Sequence, residues 1–283
     1  MTSPLFPLVS LSSLAIAGPD ARGFLQGQLS SNLDEVTPTR GQLSGWHDPK
    51  GRVLAFLRVL PRGEGFLLVT HAELAAAIEK RLRLFILRAK VTVEAGPRVY
   101  GVAAGRAGPL AIGNGLQVGA EPQDAACTGS ASAMRMPGHA GWLVAGEAGE
   151  LPAPANAAAV AAWERAEIEA GIPEVYPETS GQFVAQMLNL DRIGAVSFTK
   201  GCYPGQEIVA RAHHLGRVKR RARLFRVAGA PPAPGEALAD SAGTVVRAAA
   251  SGEDCLLMAV VPDDAAGPFA LADGRPLEPQ AAS

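Results

Sequence analysis

The residues best suited to chemistry lie together at Lys200-Gly201-Cys202-Tyr203-Pro204-Gly205-Gln206-Glu207. A thiol stands between a lysine and a phenol, with two glycines and a proline bending the backbone around it. Thiolate, not thiol, is the nucleophile and the metal ligand, and nearby cations raise the thiolate fraction. Lys200 is two residues away, and Arg211, Arg217, Lys219, Arg220 and Arg221 follow within reach of a chain that folds back. Gly201 and Gly205 allow backbone angles or close approaches that side chains forbid. The plainer alternative is that Cys202 is a small buried hydrophobe. Cys127 and Cys255 have small or apolar neighbours and no adjacent cation, so they read as structural.

After Glu207 no acid occurs until Glu236, while Arg211, Arg217, Lys219, Arg220, Arg221, Arg223 and Arg226 intervene, with His213 and His214. Such a run can be a solvated face. Joined to a reactive thiol, it reads as an anion site for a carboxylate tail or for phosphates. Two adjacent histidines do not easily share one ion, so no metal site is expected.

The elements that must position these groups read as follows. Leu5 to Ala17 is an apolar stretch; no cation precedes it and Pro4 and Pro7 interrupt it, so a buried first strand is expected rather than a signal peptide. Pro19-Asp20-Ala21 starts a helix carrying Phe24, Leu25, Gln28 and Leu29. Gln42 to His47, Arg52 to Leu60 and Phe66 to Thr70 form an antiparallel meander around two turns, and His71 to Arg88 is an amphipathic helix. Val91 to Glu94, Val99 to Ala103, Ala133 to Met136 and Trp142 to Ala145 read as strands, and Ala155 to Ala170 as a helix closed by Gly171 and Pro173. This is an α+β protein in which a second unit of strands and helix echoes the order of the first. From Leu224 the pattern becomes short strands only, a small C-terminal β-barrel. The expected domains are 1–218 and 219–283.

The chain has 283 residues and a net charge of −1, so no whole-molecule field draws in nucleic acid. Three cysteines are too few for a disulfide framework and suggest a reducing compartment, the cytoplasm. No apolar run reaches the roughly 20 residues of a membrane span.

KGCYPGQE, preceded by SGQFVAQMLNLDRIGAVSFTKG, resembles the signature of the YgfZ-type folate-binding proteins, relatives of the glycine cleavage T-protein, a tetrahydrofolate-dependent aminomethyltransferase. The resemblance extends to WERAEIEAGIP from Trp163, to GPDARGFLQGQLSSN from Gly18 and to HDPKGRV from His47, and is weak over 96–154 and in the β tail. It implies two interlocked antiparallel α+β units in a ring-like arrangement, with a C-terminal β-barrel, around a central folate site. It also implies a role in assembly or repair of iron–sulfur clusters in certain enzymes, including one that modifies tRNA, with Cys202 as the functional thiol and Lys200 beside it. Candidate residues for tetrahydrofolate or a derivative are Trp163, Gln186, Asn189, Tyr203, Gln206, Glu207 and Arg217. Trp163 equally suits a plain anchor of its helix. Partners would be iron–sulfur enzymes or cluster-assembly proteins.

Two departures from the aminomethyltransferases stand out. Their acidic pair after the first turn corresponds here to Ala55 and Phe56, which cannot transfer a proton. An aromatic common at the folate site corresponds to Leu11. The sequence therefore favours an accessory protein over a one-carbon transferase. An RNA-binding module is the third reading, opposed by near-neutral charge and by the lack of an RNP-type or KH-type motif.

Overall fold

A computed structural model describes residues 5–102, 109–112, 115–129, 131–138, 141–147, 156–214, 216 and 218–281. The chain runs β1 (Leu5–Pro7), β2 (Leu11–Ala17), α1 (Ala21–Gln26), β3 (Gln42–His47), β4 (Val53–Arg62), β5 (Gly65–His71), α2 (Ala72–Arg83) and β6 (Thr92–Ala95). A second series follows: β7 (Arg98–Val102), β8 (Leu110–Ile112), β9 (Leu116–Val118), β10 (Ala125–Cys127), β11 (Ala131–Arg135), β12 (Trp142–Gly146) and α3 (Ala157–Glu169). After a long connector come α4 (Gln206–His214), β13 (Arg220–Ala228), β14 (Thr244–Ser251), β15 (Asp254–Pro262), β16 (Phe269–Ala270) and β17 (Pro276–Gln280).

Two five-stranded antiparallel sheets share one plan. The first has the order β3-β4-β5-β2-β6 and the second β10-β11-β12-β7-β1. In the first unit, α2 leads into β6, which pairs with β2 at the sheet edge. In the second, α3 leads away, and the equivalent edge place beside β7 is taken by β1 from the start of the chain. The units interlock through that strand. Leu5 to Ala17 is accordingly two strands in two sheets, not one, parted at residues 8–10, where Leu11 N–H bonds back to the Leu8 carbonyl at 3.0 Å.

The α2 stripe of Leu74, Ala75, Ile78 and Leu82 is buried, as its steps of three and four require. The helix ends at Arg83, five residues short of the expected end. Four consecutive apolar residues, 84–87, cannot share one face of a 3.6-residue period, and the chain must turn to enter β6.

The C-terminal sheet, ordered β14-β15-β13-β17-β16, buries both faces. Phe225, Val245, Leu257 and Val261 form a core of their own, while Leu224, Val246, Leu256 and Met258 join the main core. Single bridges Ala237–Thr244 and Leu238–Leu271 bring its two edges toward one segment. The expected barrel is thus rolled up but not closed by a continuous ladder. Pro276 and Pro279 demote the strand pattern of β17, yet the strand forms, with Pro276 as its first residue opposite Ala270 and Pro279 opposite Phe225.

Three bodies meet in a ring. β4 packs on β10 and β11, α3 packs on β14 and β15, and β13 packs on the turn Ala185–Leu188. That turn is tied back to the first sheet by Val53 N–H to the Phe183 carbonyl at 2.8 Å.

Candidate functional site

At the junction of the three bodies lies a small cavity of about 60 Å³, lined by Leu8, Leu11, His71, Trp163, Glu164, Tyr176 and Arg247, among others. β2 supplies Leu11, the end of β5 supplies His71, α3 supplies Trp163 and Glu164, and β14 supplies Arg247. Asn156 caps α3, its Oδ1 accepting from Ala159 N–H at 3.0 Å. Trp163 stands where α3 meets β1 and also borders the cavity; its ring is edge-on to Phe6 at 6.2 Å. Gly101 makes that packing possible, since a Cβ there would lie 2.5 Å from the Phe6 ring.

Behind the cavity wall runs a buried charge network. Arg58, wholly buried on β4, donates to Glu167 Oε1 at 2.7 Å and to Glu174 Oε2 at 2.9 Å. Arg247 donates to Glu167 Oε2 at 3.1 Å and to the Ile172 carbonyl at 3.2 Å. Burial pushes both guanidiniums down, but the carboxylates, Glu167 foremost, more than offset it and hold both charged. With two arginines against Glu167 and Glu174, the inner pairs balance. Glu164 is the carboxyl left at the cavity, and burial raises its pKa, with Arg247 acting in the opposite sense. Burial also pushes the Tyr176 phenol up to about 12, and its ring packs on His71 at 4.7 Å. Sequence reading missed Arg58, His71, Glu164, Glu167, Glu174, Tyr176 and Arg247. A signal was present: Arg58 is a lone charge inside an apolar strand, and Glu167 shares a helix face with Trp163. A charge in such a place needs a partner.

The thiol loop lies elsewhere. Cys202 is exposed and lines none of the described cavities. Its neighbours are fixed. Lys200 Nζ donates to the carbonyls of Gln26, Leu29 and Ser31 at 2.6, 2.6 and 2.9 Å, gathering the chain around the end of α1. Burial lowers its pKa to about 8. All three of its donors are therefore committed to backbone, and it is not a free cation beside the thiol. Tyr203 is buried, its ring 5.3 Å from Lys200 Nζ and 5.8 Å from the His47 ring. Burial pushes Tyr203 to about 12 and His47 down to about 4, with Asp48 acting in the opposite sense on His47. Both His47 nitrogens lack a hydrogen-bond partner among the described residues.

Gly205, at φ +79°, lies against the turn Asp48–Gly51; a Cβ there would fall 2.5 Å from the Asp48 carbonyl. Gly51, at φ +73°, has no more room, since its Cβ would meet Ile208 at 2.9 Å. The HDPKGRV turn and the KGCYPGQE loop are thus built against one another, glycine on glycine. Gly201 faces open space and carries no such constraint.

The remaining candidates scatter. Gln186 is buried, its Nε2 donating to the Val209 carbonyl at 2.7 Å, with Oε1 unpartnered among the described residues. Asn189, at φ +56°, donates to the Ala222 carbonyl at 2.8 Å and accepts from Arg221. Gln206 and Glu207 open α4, where Glu207 pairs with Arg211 at 3.1 Å on the surface. Arg217 lies outside the described residues. Two described cations of the run are engaged away from the thiol: Arg221 clasps Asp191 through both carboxylate oxygens at 3.1 and 3.0 Å, and Arg226 pairs with Asp254 at 3.4 Å. Ala55 and Phe56 are fully buried in β4. No group of three or more metal-ligating side chains occurs among the described residues, and no described helix is long and apolar enough to cross a membrane.

No protein-family model matches the chain. It is 33% identical over 216 residues to the tRNA-modifying protein YgfZ of Edwardsiella ictaluri, spanning 72% of this chain and 65% of that one, just under two thirds. It is 32% identical over 264 residues to the tRNA-modifying protein YgfZ of Klebsiella pneumoniae, spanning 87% and 81%. Among solved structures, the glycine cleavage system aminomethyltransferase T of Bartonella henselae shares the fold, with a TM-score of 0.72 over 98% of this chain and 84% of that one at 17% identity.

Proposed function

The chain belongs to the YgfZ family, and from that premise we propose that it is a folate-binding accessory protein serving tRNA modification. It would support assembly or repair of iron–sulfur clusters in client enzymes, one of them a tRNA-modifying enzyme, through the thiol of Cys202. Three free cysteines suit a reducing cytoplasm.

The observation that carries the folate part is the cavity where all three bodies converge. A pterin is a flat ring edged with N–H donors and carbonyl acceptors. Trp163 and Tyr176 supply flat walls, Glu164 a carboxyl to accept from ring N–H groups, and Arg247 a donor close by. The donor set therefore fits tetrahydrofolate. The volume fits less well: about 60 Å³ is far below the roughly 300 Å³ at which pockets for whole small molecules begin. Binding must widen the seam between α3, β14 and the segment bearing Tyr176. When bound, tetrahydrofolate supplies a carrier for one-carbon units. The chain's own residues hold the ring, exclude water behind Leu8 and Leu11, and keep Glu164 at a raised pKa against it.

Aminomethyl transfer is disfavoured by Ala55 and Phe56, which leave β4 without a proton-transfer group. Direct RNA binding through 211–226 is disfavoured by the internal partners of Arg211, Arg221 and Arg226. Titration with tetrahydrofolate should quench tryptophan fluorescence, and Trp163→Phe should abolish the quench while Trp46 and Trp142 still emit. Absence of heat and of thermal protection at millimolar folate would sink the folate reading.

A further inference from the structure

Leu84, Phe85 and Leu87 are 70%, 46% and 88% exposed, three of the five large apolar side chains that stand in solvent among the described residues. They occupy the turn from α2 to β6. Isolated exposed leucines are ordinary, but three within four residues form a patch. The turn is preformed: Leu84, Phe85 and Ile86 N–H groups bond to the carbonyls of Arg81, Leu82 and Arg83 at 3.2, 3.0 and 3.2 Å.

Cations surround it. Lys80 to Lys90 reads KRLRLFILRAK, with no acid. Arg83 is held by Glu79 at 2.7 Å and Arg81 lies over the Trp46 ring at 5.5 Å. The side chains of Lys80, Arg88 and Lys90 form no ion pair among the described residues. Acids nearby do not alter this: Glu79 is held by Arg83, Asp20 accepts from the Lys90 backbone N–H at 2.7 Å, and Glu94 on β6 forms no ion pair among the described residues.

A groove of about 750 Å³, lined by Gly18, Pro19, Arg22, Gly63, Phe66 and a single acid, Glu64, meets the end of the turn where Gly18 packs on Lys90. Its rim is stapled to the turn. Asp20 N–H points to the Lys90 carbonyl, and Gly18 lies so close to that carbonyl that no side chain fits. Arg22 lies over Phe66 at 4.9 Å and bonds the carbonyls of Leu33 and Val36, so one wall of the groove is held in place.

We propose that residues 84–90 and this groove form the docking surface for a partner protein that offers apolar side chains ringed by Asp or Glu. Unpaired Lys80, Arg88 and Lys90 ask for anions. RNA phosphates would reward the cations but not Leu84 and Leu87. An anionic bilayer would reward both, but a flat surface leaves a concave groove unfilled. A polypeptide satisfies all three features. The surface is separate from the folate cavity and does not depend on the folate reading.

A random 12-residue phage library selected on the full-length protein, with Leu84→Ser/Leu87→Ser protein as the counter-target, tests this. Enriched peptides should combine Asp or Glu with Leu, Ile, Phe or Trp. Synthetic versions should bind about tenfold or more weakly to the double variant, whose two lost leucine contacts are each a substantial apolar burial. Arg88→Glu/Lys90→Glu should weaken them similarly, and rising salt should weaken binding to the wild type. Folding and tetrahydrofolate quenching should be unchanged in both variants, which separates this proposal from the folate one. No enrichment over the counter-target, or peptides that bind both proteins equally, overturns it. So does variant-sensitive binding of phosphatidylglycerol vesicles or of tRNA without peptide binding, which would assign the patch to a membrane or to RNA.

Discussion

The cavity and the thiol loop place their polar groups in opposite ways. At the cavity, charge is sunk into the interior and held by charge: Arg58, Glu167, Glu174 and Arg247 are each less than a tenth exposed. At the loop, the Cys202 thiol stands in solvent, and what lies beneath it is Lys200 on three carbonyls, a buried tyrosine and a glycine pressed on a glycine. The first arrangement couples three separate bodies through side chains that cannot be lost singly. The second leaves an exposed thiol on a loop whose anchors do not involve it, so that, under the proposed function, Cys202 can meet a partner without disturbing the core. A ligand buried in the ring and a macromolecule approached from outside are the two classes of contact these arrangements suit.

The sharpest test of this contrast is Glu167. Its two oxygens hold both Arg58 and Arg247. Glu167→Gln leaves two buried guanidiniums short of charge, and breaking a buried pair costs roughly 3–5 kcal/mol. Urea unfolding should show a loss of that order. A loss under 1 kcal/mol would mean the network is not what joins α3 to β4 and β14.

Next in size is a pH effect seated beneath the loop. His47 is neutral and buried, its pKa held at about 4 against an ordinary 6.5. Between these values the unfolded chain takes up a proton that the folded chain refuses. Stability should therefore be full above pH 6.5 and fall as pH drops toward 4, by roughly 3 kcal/mol. His47→Leu should flatten that part of the curve. An unchanged slope would place the acid sensitivity elsewhere.

These two sites also show what can be read from sequence. β3 is legible to the residue, because Gln42 to His47 sits between clear turns. α2 was read five residues too long, since Phe85 and Ile86 continue the apolar count although the helix has ended. α4 was hidden, because its stretch looks like a charge run and its one buried residue, Val209, gives no period. The split of Leu5 to Ala17 between two sheets depends on an edge left open more than ninety residues later, which no local pattern records. At the site, Leu11 and Trp163 were reached by resemblance. The charged wall was not, because Arg58 meets Glu167 and Glu174 across 109 and 116 residues. Lys200 was placed near the thiol by sequence distance, while its bonds run to Gln26, Leu29 and Ser31. Chain neighbours need not point the same way.

A smaller effect is expected at Lys200. Lys200→Met keeps the apolar stem but strips three backbone carbonyls of their donor. A hydrogen bond from a charged group contributes roughly 1.5–3 kcal/mol, and water can replace part of this at a half-buried site, so a net loss of about 1–3 kcal/mol is expected. Hydrogen exchange should speed up in 26–31 and in 199–203 together. Exchange confined to one of the two segments would show that Lys200 is not the tie between them.

The smallest effect on stability, and the most telling for the comparison, belongs to Cys202. Its side chain is exposed, forms no hydrogen bond among the described residues, and is flanked by anchors that do not need it. Cys202→Ser should change stability by no more than about 0.5 kcal/mol, the range for surface substitutions away from structural features. Under the proposed function the same change abolishes support of tRNA modification, measured as the modified-nucleoside content of tRNA in cells relying on the variant. Alkylation of the native protein should label Cys202 first, the half-buried Cys127 later and Cys255 last, because access governs the rate and burial further raises the Cys255 thiol. Equal labelling would mean the loop does not present its thiol as described. Full tRNA modification with Cys202→Ser would leave the clamped geometry standing but remove the thiol from the function.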